Sequence, residues 1–340
     1  MSDFYALTTD QQAARLTALA HEALTHWGLA DSELALIKHR ENAVYSVRSP
    51  SGDRYALRVH RAGYHSDAEL HSELIWMRAL DDYGVHTPPV IPASDGDLFK
   101  VVGCDGVPEP RQCDLLAWID GQQLGSIEDD AEPDLDSLTS SYRLVGELAA
   151  KLHNQVSDWT MPDGFQRHSW DVDGLVGEHP FWGRFWELEV LTAEQLDLIQ
   201  QTRARVRTEL ESLGQDRQIY SLIHADFLPE NLLLDGDDIK LIDFDDAGFG
   251  WHLFEFATSL FFHVGEDSFE PLLQSMIDGY REHRQISDEH LSHLPTFLVA
   301  RGLTYLGWLH TRKETETAQE LTPMVVEGVT ALAEDYLNTR

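Results

Sequence analysis

The order of hydrophobic and polar positions divides the chain into a strand-rich first third and a helix-rich remainder. Short apolar runs bounded by turn residues predict strands, and we expect them at residues 34–39, 43–48, 54–60, 88–92, 98–102 and 113–119. Residues 66–83 carry apolar side chains at helical spacing, namely Leu70, Leu74, Met77 and Leu80. The first third therefore predicts an antiparallel sheet accompanied by one helix.

Helical spacing prevails in the remainder of the chain. Leu144, Leu148 and Leu152 predict a helix over residues 138–156. Thr192 and Gln195 have the spacing of a capping box and predict the start of a long helix. An apolar helix is expected at residues 253–263, and three more helices are expected to complete the chain.

Two irregular segments interrupt these helices. Residues 122–138 are acidic and predict a loop. The segment before the long helix is rich in tryptophan, with Trp159, Trp170, Trp182 and Trp186. Such a cluster predicts either aromatic core, which we favour, or a platform for a cation or a sugar.

The most informative polar residues follow two apolar runs in the second half of the chain. The first run ends at His224 and is followed by Asp226 and Asn231; after the turn at residues 235–238, a second run ends at Asp243. A carboxylate can orient an attacking hydroxyl, and carboxylate and carboxamide oxygens are ligands that Mg²⁺ prefers. An acidic hairpin with an Asx turn would explain residues 235–238 but not the other four. The stretch therefore indicates phosphoryl transfer.

The pattern His-x-Asp-x-x-x-x-Asn followed by Ile-Asp-Phe resembles the catalytic loop and metal motif of aminoglycoside phosphotransferases, choline kinases and type II homoserine kinases. In that family the loop begins His-Gly-Asp or His-Ala-Asp, where protein kinases have His-Arg-Asp. The resemblance implies an α+β, two-lobed, protein-kinase-like fold. Residues 1–118 would form a small antiparallel β lobe with one helix that binds the nucleotide and ends in a hinge. Residues 119–340 would form a larger, mainly α-helical lobe for catalysis and acceptor binding.

The resemblance also assigns roles to individual residues. Asp226 would be catalytic and orient the hydroxyl of the acceptor, the molecule that receives the phosphoryl group, while Asn231 and Asp243 would bind Mg²⁺ in the cleft that holds ATP. Arg58 occupies the position of the phosphate-clamping lysine, and Glu73, fifteen residues later, matches its partner in the helix. Each could instead be a solvated charge, but the spacing favours an ion pair.

Weaker assignments concern the ATP phosphates and the adenine. The loop at residues 41–45 carries no G-x-G-x-x-G pattern, and Asn42 resembles the family's polar substitute. Residues 115–121 resemble the hinge, where the backbone of Ala117 and Ile119 would bind adenine. An ordinary buried strand that ends in a turn would have the same sequence.

The residues after Asp243 leave no room for the long activation segment on which protein kinases bind a peptide. Glu255 stands where the family usually has an aspartate that braces the catalytic loop. Asp245 and Asp246 are expected either to contact metal or a cationic acceptor or to be solvated loop charges.

Composition limits the class of partner. The 59 Asp and Glu residues against 25 Lys and Arg give a formal net charge of −34, which disfavours binding to nucleic acids and anionic membranes. The chain carries two cysteines without metal spacing, no signal-peptide pattern and no apolar run long enough to cross a bilayer. We therefore expect a cytoplasmic protein with no nucleic-acid or membrane partner.

The sequence predicts an enzyme that transfers the γ-phosphoryl group of ATP, with Mg²⁺, to a hydroxyl of a small molecule. Amino alcohols and hydroxy amino acids are favoured over bulky aminoglycosides. Two alternatives stay open. The first is a protein Ser/Thr kinase of the bacterial stress-kinase type, and the second is a nucleotide-binding module without catalysis, suggested by Arg58 and Glu255.

Overall fold

The computed structural model describes residues 4–39, 42–124, 134–236 and 238–339. Some of the features predicted above lie outside the described residues: Glu41 of the loop 41–45, Asp237 of the hairpin turn, and Glu128, Asp129, Asp130 and Glu132 of the acidic segment.

The chain divides into two compact units. The first consists of Met1–Gly121, Met161–Gln166 and Lys240–Ile242, and the second of Gln122–Thr160, Arg167–Ile239 and Asp243–Arg340. The long segment of the first unit runs on to Gly121, and we retain the boundary after residue 118 as a proposal for the functional division.

The first unit combines a sheet with helices. In chain order its described elements are α1 (Thr9–Leu24), β1 (Glu33–His39), β2 (Ala43–Arg48), β3 (Arg54–Val59), α2 (Asp67–Tyr83), β4 (Val90–Ile91), β5 (Phe99–Val102) and β6 (Arg111–Ala117). The strand order is β1-β2-β3-β6-β4, with β5 also paired to β6, and these five pairings are antiparallel. The predicted sheet and the helix at residues 66–83 are thus confirmed, apart from one or two residues at the ends of several elements.

Helix α1 was not predicted. It begins with a capping box in which Thr8 and Gln11 bond each other's backbone. Its apolar face, which includes Leu16, Leu19 and Ala23, packs into the core of the first unit together with Tyr45 and other strand residues. The capping spacing and the apolar residues three and four positions apart were a readable signal for this second helix.

The second unit is mainly helical. Its described strands are β7 (Gln122–Gln123), β8 (Ser169–Trp170), β9 (Tyr220–Ile223), β10 (Leu232–Asp235) and β12 (Gly248–Trp251), and strand β11 (Asp238–Leu241) begins in this unit. Its described α-helices are α3 (Leu135–Asp158), α4 (Val172–Val176), α5 (Ala193–Leu213), α6 (His252–Leu260), α7 (Phe269–His283), α8 (Asp288–Leu291), α9 (Leu294–Thr311) and α10 (Glu316–Asn338). Two three-stranded sheets have the orders β11-β10-β7 and β8-β12-β9.

The helices predicted for this unit are present. The capping box of Thr192 and Gln195 opens α5 as expected, whereas α3 is longer at both ends than the predicted 138–156. The predicted helix 253–263 is α6 followed by the 3-10 helix Phe261–His263. The C-terminal part contains, within residues 264–339, the single-turn helix α8 in addition to three long helices.

Two glycines allow α3 and α7 to cross closely. A Cβ atom at Gly146 would lie 2.0 Å from the Met276 carbonyl oxygen, and one at Gly279 would lie 2.0 Å from the Arg143 carbonyl oxygen. Because real Cβ atoms do not approach an oxygen so closely, both positions require glycine. The crossing fixes α7 against α3 in the second unit.

The tryptophan-rich segment contributes to the core of the second unit. Trp170 and Trp182 are both buried, and their rings meet edge to face with centroids 5.4 Å apart. The preference for aromatic core is confirmed for these two residues. Among the described residues, no helix is both long and apolar enough to span a membrane.

Candidate active site

The predicted site residues form two groups, one in each unit. In the second unit, β9 ends at Ile223 and the predicted catalytic loop follows directly, with His224 and Ala225 fully buried. Ala225 has a φ of 63°, in the left-handed region that side chains other than glycine seldom adopt. Other bonds must therefore hold the loop in this conformation.

Glu255, in the first turn of α6, supplies these bonds. Its Oε1 accepts the backbone N–H of His224 at 2.6 Å, and its Oε2 accepts that of Ala225 at 3.1 Å. Burial raises the pKa of the Glu255 carboxyl to about 8, opposed by the two N–H groups and by Arg301. The glutamate thus reaches the catalytic loop in the place where the family usually has an aspartate.

The side chain of Asp226 is held at both oxygens. Oδ1 accepts a bond from Arg301 Nη2 at 3.1 Å, and Oδ2 accepts one from Asn231 Nδ2 at 2.7 Å. The Asp226 N–H donates to His224 Nδ1 at 3.2 Å, which fixes the backbone as well. Burial, together with the nearby carboxylates of Asp246 and others, raises the pKa of Asp226, and Arg301 opposes this effect.

Asn231 and Asp243 offer oxygen ligands for a cation. Asn231 ends the 3-10 helix Pro229–Asn231, and its amide nitrogen is directed at Asp226, so its amide oxygen is the remaining polar atom of the side chain. Asp243 is exposed and has a φ of 64°. A carboxamide oxygen and a carboxylate are the hard donors that suit Mg²⁺, so the residues present fit this ion.

The segment after Asp243 is fixed by the tryptophan-rich region. The Arg167 guanidinium donates to the carbonyl oxygens of Phe244, Asp245 and Ala247 at 2.5–3.1 Å. The Trp182 indole N–H donates to Asp246 Oδ1 at 3.2 Å. Asp245 is buried and Asp246 is half-buried, so neither is the solvated loop charge considered above.

In the first unit, Arg58 forms the ion pair predicted with Glu73. Arg58 Nη1 lies 2.9 Å from Glu73 Oε1, and both side chains are buried. A second carboxylate, Asp114 on β6, accepts a bond from Arg58 Nε at 2.9 Å and also lies 2.5 Å from His60 Nε2. Burial alone would raise the pKa of Asp114, but Arg58 and His60 together lower it. The guanidinium is therefore held from two sides.

The remaining predicted residues of the first unit involve the backbone. Asn42 Oδ1 accepts the backbone N–H of Arg61 at 3.0 Å, which leaves the amide nitrogen as the side-chain group suited to a phosphate oxygen. Ala117 ends β6, and its N–H donates to the Pro89 carbonyl oxygen at 2.8 Å. In an antiparallel pair, a second bond would run from the N–H of residue 89 to the Ala117 carbonyl oxygen. Pro89 has no N–H and cannot form this bond. Ile119 follows two residues beyond the strand and is half-buried.

Four residues that hold the site together were not predicted from the sequence: His60, Asp114, Arg167 and Arg301. For two of them a signal exists. Asp114 is the one charge among the apolar residues 113–117, and Arg301 is the one charge between residues 294 and 309. A single charge in an otherwise apolar element is normally buried and paired, so both patterns predict an ion pair without naming the partner.

Two proteins of known structure resemble this protein over nearly the whole chain, and a third relative resembles it over two thirds. A microcompartment-associated aminopropanol kinase of known structure is 33% identical, with a TM-score of 0.83, over 95% of this chain and 98% of its own. The structure of the amicoumacin kinase hAmiN, in complex with AMP-PNP, Ca²⁺ and Ami, is 18% identical, with a TM-score of 0.73, over 96% of this chain and 94% of its own. A homoserine kinase of Rhizobium etli is 26% identical over 66% of this chain and 63% of its own length.

These likenesses confirm the α+β, protein-kinase-like fold and the resemblance expected from residues 221–246. The model of the family described as "Phosphotransferase enzyme family" matches residues 33–290, which is most of the chain and includes all the site residues named above except Arg301. The chain therefore belongs to the phosphotransferase enzyme family, and it is a kinase-type phosphotransferase that acts on hydroxyl groups.

Proposed function

We propose that this protein transfers the γ-phosphoryl group of Mg-ATP to the hydroxyl of a small amino alcohol or hydroxy amino acid. The observation that carries the proposal is the setting of Asp226. Its carboxylate is held at one oxygen by Arg301 and at the other by Asn231, within a loop braced by Glu255. A carboxylate fixed in this way is suited to orient a hydroxyl for attack.

In the proposed reaction the acceptor oxygen bonds to the γ-phosphorus, and the bond from that phosphorus to the β–γ bridging oxygen breaks. ADP leaves, and the hydroxyl proton passes to Asp226 and then to solvent. Mg²⁺, when bound by Asn231 and Asp243, would neutralise charge on the phosphate oxygens. Two further residues would bind phosphate oxygens of the nucleotide. Arg58 offers a guanidinium for this contact, and Asn42 offers an amide N–H.

The adenine would be bound by the backbone of the first unit. The Ala117 carbonyl receives no bond from Pro89, which supports its assignment as the acceptor for the adenine amino group. Ile119 lies beyond the last strand residue, and we assign its N–H as the matching donor. Both contacts involve backbone atoms, so side-chain substitutions there should alter nucleotide affinity little.

The acceptor class is inferred from charge. Asp246 is half-buried, is fixed by the Trp182 indole and contributes to the electrostatic field at Asp226. A carboxylate beside an aromatic ring favours an ammonium group. The 33% identity to an aminopropanol kinase and the similarity to a homoserine kinase support the same class, since both named substrates carry an amine and a hydroxyl.

A transfer assay tests the proposal. The protein is incubated with Mg²⁺ and γ-labelled ATP and, separately, with aminopropanol, ethanolamine, homoserine, choline, an aminoglycoside and denatured protein. We expect the highest kcat/KM with one of the small amino alcohols or with homoserine. Labelling of protein with none of the small molecules would overturn the proposal in favour of a protein kinase, and nucleotide binding without transfer to any acceptor would overturn it in favour of a binding module.

A further inference from the structure

Arg301 lies on α9, far along the chain from the catalytic loop, yet its guanidinium contacts that loop at two points. Nη1 donates to the Ala225 carbonyl oxygen at 3.2 Å, and Nη2 donates to Asp226 Oδ1 at 3.1 Å. The residue has no exposed surface at all. It therefore acts on the loop from within the protein and not from the solvent side, where substrates arrive.

The surroundings of Arg301 fix its orientation. Its guanidinium carbon lies 4.5 Å from the centroid of the Tyr305 ring, 4.8 Å from that of Trp182 and 5.5 Å from that of Phe254. Nη2 also donates to the Tyr305 hydroxyl at 3.1 Å. A guanidinium enclosed by three aromatic rings has little freedom to turn, so the direction of its N–H groups toward Asp226 is set before any substrate binds.

Burial of the charged Arg301 guanidinium costs free energy unless other groups replace its contacts with water. The hydration that a buried arginine loses is replaced only by close ionic and hydrogen-bonded partners, and here Asp226 is a charged partner at bonding distance, with Oδ1 3.1 Å from Nη2. With Asn231 on Oδ2 and Arg301 on Oδ1, rotation of the Asp226 carboxylate about its last bond would break one of the two contacts. The acceptor hydroxyl must then approach along a defined direction.

We infer that Arg301 is a positioning residue that acts through Asp226 by fixing its carboxylate for the acceptor hydroxyl. The inference rests on the proposed role of Asp226. Since Arg301 is buried, it does not touch substrate, and its removal should impair transfer without changing how tightly nucleotide binds. The rate of transfer to the acceptor should fall more than the rate of ATP hydrolysis by water, because a small water molecule depends less on a fixed direction of approach.

The test compares Arg301→Met with Arg301→Lys and with Arg312→Met as a matched control. Methionine keeps the apolar stem but removes the charge, and we expect kcat to fall by roughly 10²-fold with the KM for ATP within about threefold of wild type. Lysine keeps the charge but lacks the planar guanidinium that contacts Ala225 and Asp226 in a fixed geometry, so we expect a fall of about tenfold. Arg312, which directly follows the last residue of the same helix and has its guanidinium over Trp308, should tolerate methionine with kcat within about twofold.

A double-mutant cycle separates positioning from a general role in folding. In an Asp226→Asn background, the further change Arg301→Met should lower the residual transfer rate by no more than about threefold, since the residue through which Arg301 acts is already altered. A full additional loss of about 10²-fold would overturn the inference. Wild-type kcat in the folded Arg301→Lys variant would also overturn it, which keeps the test decisive where Arg301→Met does not fold.

The same cycle distinguishes the inference from the proposed function. Wild-type transfer by Asp226→Asn would remove the catalytic assignment itself. Impaired transfer by Asp226→Asn together with unimpaired transfer by Arg301→Met would leave the proposed function standing and overturn the positioning role alone.

Discussion

Glu255 holds Ala225 in a left-handed backbone conformation by accepting its N–H at 3.1 Å, while the same carboxylate accepts the N–H of His224 at 2.6 Å. The direction in which Asp226 leaves the loop depends on this turn, because Asp226 follows Ala225 directly. A buried carboxylate on α6 therefore determines where the candidate catalytic residue lies.

The first prediction concerns removal of this brace. Glu255→Ala leaves two buried N–H groups without their acceptor, so we expect a loss of about 2–4 kcal/mol in the free energy of unfolding and a marked fall in transfer. Glu255→Gln keeps an acceptor oxygen and should lose about 1 kcal/mol. Denaturant unfolding and the transfer assay measure the two effects.

The control for this prediction is Ala225→Gly. Glycine adopts positive φ without strain, so the loop should depend less on Glu255, and Glu255→Ala should cost less in the Ala225→Gly background than in the wild type. Equal costs in both backgrounds would show that the brace does not act on the conformation of Ala225.

The second prediction concerns pH. Burial raises the pKa of Glu255 to about 8 in the folded protein, above its value of about 4.5 in an unfolded chain. The folded state thus binds the Glu255 proton more tightly than the unfolded state does. The contribution of this protonated carboxyl to the free energy of unfolding is fully present below about pH 4.5, and it is lost as the pH rises through about 8. We expect the free energy of unfolding of the wild type to fall relative to that of Glu255→Gln between about pH 5 and pH 9. A difference that stays constant over this range would contradict the raised pKa.

The third prediction assigns different tasks to two aspartates. Asp226→Asn should lower phosphoryl transfer by roughly 10² to 10⁴-fold, because it removes the group that we propose orients and deprotonates the hydroxyl. Its affinity for Mg-ATP should stay within a few-fold of wild type. Full activity of the variant would remove Asp226 from the mechanism.

Asp243→Asn should behave differently, because it removes a carboxylate that would bind Mg²⁺. We expect weaker nucleotide binding and a higher Mg²⁺ requirement, measured by titrating ATP at several Mg²⁺ concentrations. An unchanged dependence on Mg²⁺ would argue against a metal ligand at this position.

The fourth prediction concerns the buried cluster of the first unit. Arg58→Ala should lower transfer strongly. Glu73→Ala should lower it less, because Asp114 still holds the guanidinium at 2.9 Å. The double variant should be less impaired than the product of the two defects, since the groups act as a unit.

Arg54→Ala is the matched control for Arg58→Ala. Arg54 lies on the same strand, and its ion pair with Asp120 is exposed, so its loss should change transfer by less than about twofold. If the defects of Arg58→Ala and Glu73→Ala proved independent and multiplicative, the two residues would not act as a unit on phosphate, and only a structural role would remain for them.

The sequence by itself determined the sheet of the first unit, the helix that carries Glu73, the capped start of α5 and the loop that carries Asp226 and Asn231. These features depend on local patterns, namely the alternation of apolar residues, the capping spacing and the short motif from His224 to Asp243. Helix α1 had equally local signals and was therefore predictable.

The tertiary structure decided the partners of the charged residues. Asp114 and Arg301 each stand out as a lone charge in an apolar element, but their partners, Arg58 and Asp226, lie 56 and 75 positions away along the chain. The left-handed turn at Ala225 likewise depends on Glu255, 30 positions later. Periodicity reports which face of an element is buried, whereas the choice of partner depends on which elements pack together, and only the folded chain sets that packing.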